Sequence, residues 1–307
     1  MLINIFLLIL GFVLLSKGAE LLIDGACAIA RKLNIPEIII GLTIVACGTS
    51  APEVAVSLSS VIHGSCGVGV GNVLGSNIAN ILLILGVSAL ISKLHVQKNI
   101  ILYEIPFVAF ISVLLMFMGW YYGMISHTSA LILCTLFGLF LLYLFIISKK
   151  KKDDVPTIES MSFIKMISFV IFGIAALVVG AKLTVNSAVD IAHALNVSER
   201  IIGLTVIAFG TSLPELVTCI VAAVKKHSDL VIGNIIGSNI FNILFVLGIT
   251  GLIKPIPFER VFLIDSAWGI VATILLWIFV MKDNILNKGK GLIFLILYAV
   301  YVMSLVK

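Results

Sequence analysis

Two glutamates, Glu53 and Glu215, stand inside long apolar runs, and each ends the same hexapeptide frame: GTSAPE at 48–53 and GTSLPE at 210–215. A carboxylate at membrane depth is expensive and marks an ion or proton path. Pro52 and Pro214 lack an N–H and clash with the preceding turn, so a helix must break or kink at each. Broken backbone is tolerated inside a bilayer only where it lines a cavity within the protein. The expected yield of each break is backbone carbonyl oxygen, around Ala46 and Ala208, beside the hydroxyls of Thr49, Ser50, Thr211 and Ser212 and the two carboxylates. A second motif is GNVLGSNIANILLILG at 71–86, again as GNIIGSNIFNILFVLG at 233–248. Ser76 and Asn80 are four apart and share one helix face, as do Ser238 and Asn242. Asn77 and Asn239 point elsewhere and are expected to be helix contacts. Gly71, Gly75, Gly233 and Gly237 form the small-xxx-small pattern that lets helices approach closely.

The donor set is all oxygen: carboxylates, hydroxyls, amide oxygens and carbonyls, with no His, Cys or Met. It suits Ca2+, Na+ or Mg2+ rather than a soft transition metal. Mg2+ demands tight octahedral geometry and holds its water, so a flexible many-oxygen cage fits Ca2+ better. Two ionised glutamates carry a charge of about −2, which one Ca2+ neutralises. Left empty, the same site would hold two unpaired buried charges. It should therefore cross the membrane filled, by Ca2+, Na+ or protons, which is the physical basis of exchange rather than leak.

The elements that must hold these residues follow from composition and repetition. Of 307 residues, 61% are hydrophobic and 11% charged, with a mean hydropathy of +1.24. A soluble domain carries about 25% charged residues, so the solvent of this chain is largely lipid. The first apolar run, Leu2 to Leu15, lacks a basic leader and a small-residue cleavage site, and reads as a first helix. About 20 apolar residues span the hydrocarbon core. Ten spans are expected, near 2–23, 37–62, 68–91, 100–119, 128–147, 162–186, 199–224, 230–253, 262–280 and 290–306. The two motifs recur at a constant offset of 162 residues, as Glu53 does to Glu215 and Asn80 to Asn242. The chain therefore divides into a first repeat at 1–147, a polar linker at 148–161 and a second repeat at 162–307. Five spans per repeat is odd, so the second half enters the membrane upside down. Inverted repeats of this kind place a substrate site near the midplane between the halves. A duplication kept only for packing does not explain why the best-repeated residues are those least suited to lipid. Lysines and arginines cluster on one side, with Arg31, Lys93, Lys149 to Lys152, Lys225, Lys226 and Lys282 among them, which puts the linker in the cytoplasm and both termini outside.

Paired GTSxPE and GNxxGSNIxN motifs in two five-helix halves resemble the sodium/calcium exchangers of the calcium:cation antiporter superfamily, of bacterial and archaeal type, over essentially the whole chain. The resemblance implies an all-α integral membrane protein of ten transmembrane helices, with helices 2 and 7 broken at the central site. Spans two, three, seven and eight would build a diamond of cation sites, and spans one and six would slide across it in alternating access. By motif position, Glu53 and Glu215 hold Ca2+ with backbone oxygen at Thr49 and Thr211. Na+ takes the Ala46 and Ala208 carbonyls with Thr49, Ser50, Ser76, Thr211, Ser212 and Ser238, and Asn80 and Asn242 fill the remaining equatorial places. Some members carry Asp where this chain has Asn80 or Asn242. Here the site charge stays near −2, so three Na+ would leave a net +1 and make the exchange electrogenic. Proton-coupled and K+-dependent exchange are the alternatives, and a passive cation channel a more distant one. The four serines tilt the reading to Na+.

Beyond the transported ions and lipid, no cofactor is expected, and the chain is expected to work as a monomer. No nucleophile–base pair or cofactor loop argues for an enzyme. A formal charge of +5 is too small and scattered for nucleic acid. Cys27, Cys47, Cys66, Cys134 and Cys219 lack metal-binding spacing and read as packing residues. His63, His95, His127, His193 and His227 fall at span ends and are given no function. Lys17, Glu20, Asp24 and Lys182 read as snorkelling charges, and Glu104 and Asp265 as residues near the membrane surfaces. Trp120, Tyr121 and Tyr122 read as an interfacial belt.

Overall fold

The computed structural model describes residues 2–63, 66–150, 161–195 and 210–306. It is a helical membrane fold. In chain order the main helices are α1 (Leu2–Leu33), α2 (Glu37–Thr49), α3 (Ala51–Ile62), α4 (Gly67–Ile91), α5 (Ile100–Tyr122), α6 (His127–Lys149), α7 (Phe163–Ala194), α8 (Leu213–Val224), α9 (Ser228–Ile253), α10 (Val261–Met281) and α11 (Lys288–Leu305). Among the described residues eight of these are long and apolar enough to cross a membrane, and the bent pair α2–α3 makes a ninth span. Of the span expected at 199–224, only the part from Gly210 onward, which includes α8, lies within the described residues.

Two expectations change in detail. Helices α1 and α7 run to Leu33 and Ala194, about ten residues past the expected ends, and both contain 32 residues. At 1.5 Å per residue each is about 48 Å long, well beyond a hydrocarbon core of about 30 Å. The reason is their mutual packing. A side chain on Gly173 would meet the Leu22 amide nitrogen at 2.7 Å, and one on Gly18 would meet the Gly173 carbonyl at 2.9 Å. Glycines spaced by seven, at 11, 18 and 25, thus let the two backbones touch along their length. The second detail is an addition to the all-α fold. Four two-residue strands, β1 (Leu94–His95), β2 (Met124–Ile125), β3 (Ile256–Pro257) and β4 (Ile285–Leu286), pair antiparallel as β1 with β4 and β2 with β3. Each ribbon joins a loop of one half to a loop of the other.

Helices α4 and α9 form the centre. Every residue from Leu230 to Phe241 is buried, as are Ile78, Ile81, Leu82, Ile84 and Leu85 on α4. Close contact again depends on glycine: a side chain on Gly237 would strike the Leu42 backbone of α2 at 2.7 Å. The counterpart segment for Gly71 and Gly75 falls within 196–209, outside the described residues. The periphery is apolar, with Phe6, Phe110, Trp120, Ile164, Phe172 and Ile296 more than half exposed. Such a surface is untenable in water and ordinary in lipid.

Candidate functional site

The broken span positions the first motif. Helices α2 and α3 meet at 47°. Ser50 sits in the break with φ −81° and ψ 11°, and its counterpart Ser212 has φ −84° and ψ 4°. Pro52 and Pro214 open the helices that follow, so the Gly48 and Gly210 carbonyls lose their usual donors four residues on. One expectation needs correction here. The Ala46 carbonyl is not freed: it accepts the Ser50 N–H at 3.0 Å and lies 3.3 Å from the Thr49 hydroxyl. Ser50 remains close enough to helical geometry to keep that bond, which leaves Ala46 only a second lone pair to offer. Ala208 lies outside the described residues.

Glu53 and Glu215 occupy the first turns of α3 and α8, where the positive end of the helix dipole favours an anion. Both are fully or almost fully buried. Each accepts from a serine of the first half that is itself bonded to a serine of the second half. Ser50 donates to Glu215 Oε1 at 2.9 Å and lies 3.1 Å from the Ser238 hydroxyl. Ser76 donates to Glu53 Oε1 at 3.2 Å and lies 3.2 Å from the Ser212 hydroxyl. The offset of 162 residues maps one trio onto the other, with the two serines exchanging places. Thr49 donates to Asn234 Oδ1 at 3.1 Å, and Thr211 to Asn72 Oδ1 at 3.1 Å.

The asparagines of the second motif complete the arrangement. Asn80 Nδ2 donates to Asn239 Oδ1 at 2.9 Å, and Asn242 Nδ2 donates to Asn77 Oδ1 at 3.1 Å. Asn77 and Asn239 also bond each other's backbone carbonyls through Nδ2, at 3.3 Å in both directions. They are helix contacts, as expected, and they do more: by taking the amide protons of Asn80 and Asn242 they fix which end of each amide is left over. Asn80 and Asn242 each start a wide π-helical turn, at Asn80–Ile84 and Asn242–Val246. Such turns recur at functional sites.

What remains without a hydrogen-bond partner is informative. Among the described residues, Glu53 Oε2, Glu215 Oε2, Asn80 Oδ1 and Asn242 Oδ1 are buried oxygens with none. Orphaned buried acceptors cost about 1–3 kcal/mol each, more when charged. These four are all acceptors and are related in pairs by the repeat. The sequence reading missed Asn72 and Asn234, which receive the threonine hydroxyls, although both were visible as the Asn of each repeated Gly-Asn pair. Glu104 and Asp265 are buried within the protein. Tyr143 donates to Glu104 Oε1 at 2.8 Å and Tyr301 to Asp265 Oδ1 at 3.2 Å, so each half ties its own carboxylate to its last helix, away from the central bonds.

Comparison with known proteins agrees with this fold. The family model described as sodium/calcium exchanger protein matches residues 3–146 and 165–307, one stretch on each side of the lysine-rich segment. The sodium/calcium exchanger MaX1 of Methanosarcina acetivorans is 30% identical, over 99% of this chain and 98% of its own. The inner membrane protein YrbG of Escherichia coli K12 is 36% identical over 88% of both chains. A solved structure of the sodium-calcium exchanger NCX_Mj, soaked without Na+ and Ca2+, superposes with a TM-score of 0.86 at 33% identity, covering 99% of each chain.

Proposed function

Because the chain belongs to the sodium/calcium exchanger family, and is thus a multi-pass Ca2+/cation antiporter and not an enzyme, we propose that it exchanges Ca2+ for Na+ at the centre bounded by Glu53, Glu215, Asn80 and Asn242. The observation that carries this reading is the quartet of buried, unpartnered oxygens on those four residues. A cation entering there breaks none of the hydrogen bonds that hold them, because the bonds use the other oxygen of each carboxylate and the nitrogen of each amide. Ca2+ takes 6–8 oxygens. The two carboxylates, backbone oxygen at Thr49 and Thr211, and water complete its shell. Na+ occupies flanking positions made by Ala46 and Ala208 carbonyls and the hydroxyls of Thr49, Ser50, Ser76, Thr211, Ser212 and Ser238. Asn80 and Asn242 supply equatorial oxygens.

The architecture proposed is ten spans in two inverted halves, 1–147 and 162–307, with helices 2 and 7 both broken. Its support is the pair of β ribbons, which the repeat offset carries onto one another to within a residue, and the matching hydrogen bonds that the two halves make at the centre. Because both equatorial residues are amides, the protein contributes a charge of about −2, and leaving it unoccupied strands two buried charges, at several kcal/mol each. Return without a cation is thereby suppressed. Three Na+ per Ca2+ carries a net positive charge, so transport responds to membrane voltage. The chain sits in a cell or inner membrane with its termini outside and linker inside, acting as a monomer.

Radiolabelled Ca2+ uptake into vesicles holding the purified protein tests the driving ion. Uptake driven by an outward Na+ gradient is the expected result, accelerated by an inside-positive potential because each turn then moves net positive charge out. Uptake driven by a pH or K+ gradient alone would overturn Na+ coupling.

A further inference from the structure

Far from the oxygen centre, three side chains of different chemistry meet at the junction of α1, the start of α2 and the turn between α8 and α9. His227 Nδ1 lies 3.0 Å from Glu37 Oε2 and 3.9 Å from Cys27 Sγ. The thiol, imidazole and carboxylate ligand atoms all fall within 4.8 Å of one another, and among the described residues this is the one grouping of three such groups. We infer that Cys27, Glu37 and His227 form a Zn2+-class metal site, which clamps α1 to the helices carrying the exchange centre.

The donor set argues the metal. One sulfur, one nitrogen and one oxygen suit a borderline-soft ion such as Zn2+ and leave a fourth position open. It is a poor set for Ca2+ or Na+, which need many oxygens. Bonds of about 2.0–2.3 Å in a tetrahedron put ligand atoms about 3.3–3.8 Å apart; two of the three pairs here stand at 3.0 and 3.9 Å, and the third lies within 4.8 Å. Small side-chain shifts would close the site.

Access and rigidity argue the same way. Cys27 is 5% exposed, while the Glu37 and His227 side chains are 26% and 25% exposed, so an ion has a route in from solvent. His227 is held by its backbone: its N–H donates to the Ala222 carbonyl at 2.9 Å, and its carbonyl accepts from Val231 at 3.2 Å. Lys226 before it adopts φ 63°, which makes the turn that brings the ring back over Glu37. One turn back along α1, Asp24 pairs with Lys225 at 2.6 Å, tying the same two elements in the same place. A histidine–glutamate pair alone would account for two of the three vertices. The thiol from α1 supplies the third.

The consequence for transport rests on the exchange reading above. Helix α1 packs mainly along α7, and a metal bound at its inner end would fasten it to α2 and to the α8–α9 turn. Relative displacement of α1 against the centre would then stop while the metal is bound.

Co2+ tests the site in the purified full chain. Expected are one Co2+ per chain, a near-ultraviolet thiolate-to-cobalt absorption band, displacement by Zn2+ and no displacement by excess Ca2+. Cys27→Ser should abolish the band, His227→Gln and Glu37→Gln should weaken Co2+ binding at least tenfold, and Cys134→Ser should leave it intact. A band absent from the wild type, or retained in Cys27→Ser of unchanged thermal stability, overturns the site. Micromolar Zn2+ should slow Na+-driven Ca2+ uptake at least fivefold in the wild type and less than twofold in Cys27→Ser. Inhibition that is absent, or that persists in Cys27→Ser, overturns the clamp. The cobalt band does not depend on transport, so a chain that binds Co2+ but moves no Ca2+ refutes the exchange reading and leaves the site standing.

Discussion

The oxygen centre and the Cys27–Glu37–His227 junction solve opposite problems with the same helices. At the centre the same sets of residues recur at the 162-residue offset, from the two Ser–Ser–Glu trios to the two Asn–Asn pairs. At the junction the trio is not doubled: the offset carries Cys27 onto Val189 and Glu37 onto Glu199, and it relates His227 to Ser65, so the second set has neither thiol nor imidazole. The centre is buried, hard and all oxygen, and suits ions that must enter and leave. The junction is half open, soft and mixed, and suits an ion that binds without being carried. Symmetry therefore follows function. A carrier site seen from two membrane faces gains from two equivalent halves, whereas a fastening between particular helices is needed at one end only.

The largest effect expected comes from the centre. Breaking a buried charged assembly by removing one partner costs about 3–5 kcal/mol. Glu53→Gln and Glu215→Gln should each lower Ca2+ uptake by more than about 100-fold while the protein still reaches the membrane. Substantial uptake in either variant would erase the division of labour drawn here.

Next come the amides that aim the equatorial oxygens. Asn77→Leu removes the acceptor of the Asn242 amide, and Asn239→Leu that of the Asn80 amide. A buried hydrogen bond contributes about 1 kcal/mol and an orphaned donor costs about 1–3 kcal/mol. The apparent KM for Ca2+ should rise about five- to tenfold, read from initial uptake rates, with Co2+ binding at the junction unchanged.

A smaller effect, of opposite location, is expected from Gly173→Val. Its added carbons collide with the Leu22 backbone of α1, and overpacking of this kind costs about 1–3 kcal/mol. The melting temperature in detergent should fall by several degrees. Cobalt affinity at the junction should weaken as α1 is pushed outward from α7. Equal loss of Ca2+ affinity would mean that the two regions are not separable.

The smallest effect separates them most cleanly. With a strong transition-metal chelator present, Cys27→Ser, which nearly keeps the side chain's size and its hydrogen-bonding capacity, should change Na+-driven Ca2+ uptake by less than about twofold. A larger fall would give Cys27 a part in transport itself.

The motifs made much of the centre legible in one dimension. Proline, glycine and a carboxylate cannot lie in lipid unless they line a protein cavity, so GTSAPE and GTSLPE mark themselves, and repetition marks their partners. The Ala46 carbonyl was misread as free, because residue type announces a break without giving the angles at Ser50 that preserve one hydrogen bond. Residue type likewise gave no sign that Glu104 and Asp265 are buried, because the tyrosine hydroxyl that each accepts comes from another helix. The lengths of α1 and α7 were underestimated because their charged C-terminal turns look polar alone and gain their support from antiparallel packing of the two helices.

Sequence by itself determined the solvent, the duplicated halves, and the hard-oxygen chemistry of the centre, because apolar length, period and residue type are local properties of the chain. Only the tertiary structure decided which oxygens are left unpaired, since that depends on which amide nitrogens and hydroxyls the other half spends. It alone joined Cys27, Glu37 and His227, which no spacing rule connects: 200 residues of chain separate the thiol from the imidazole, and helix packing brings them to 3.9 Å.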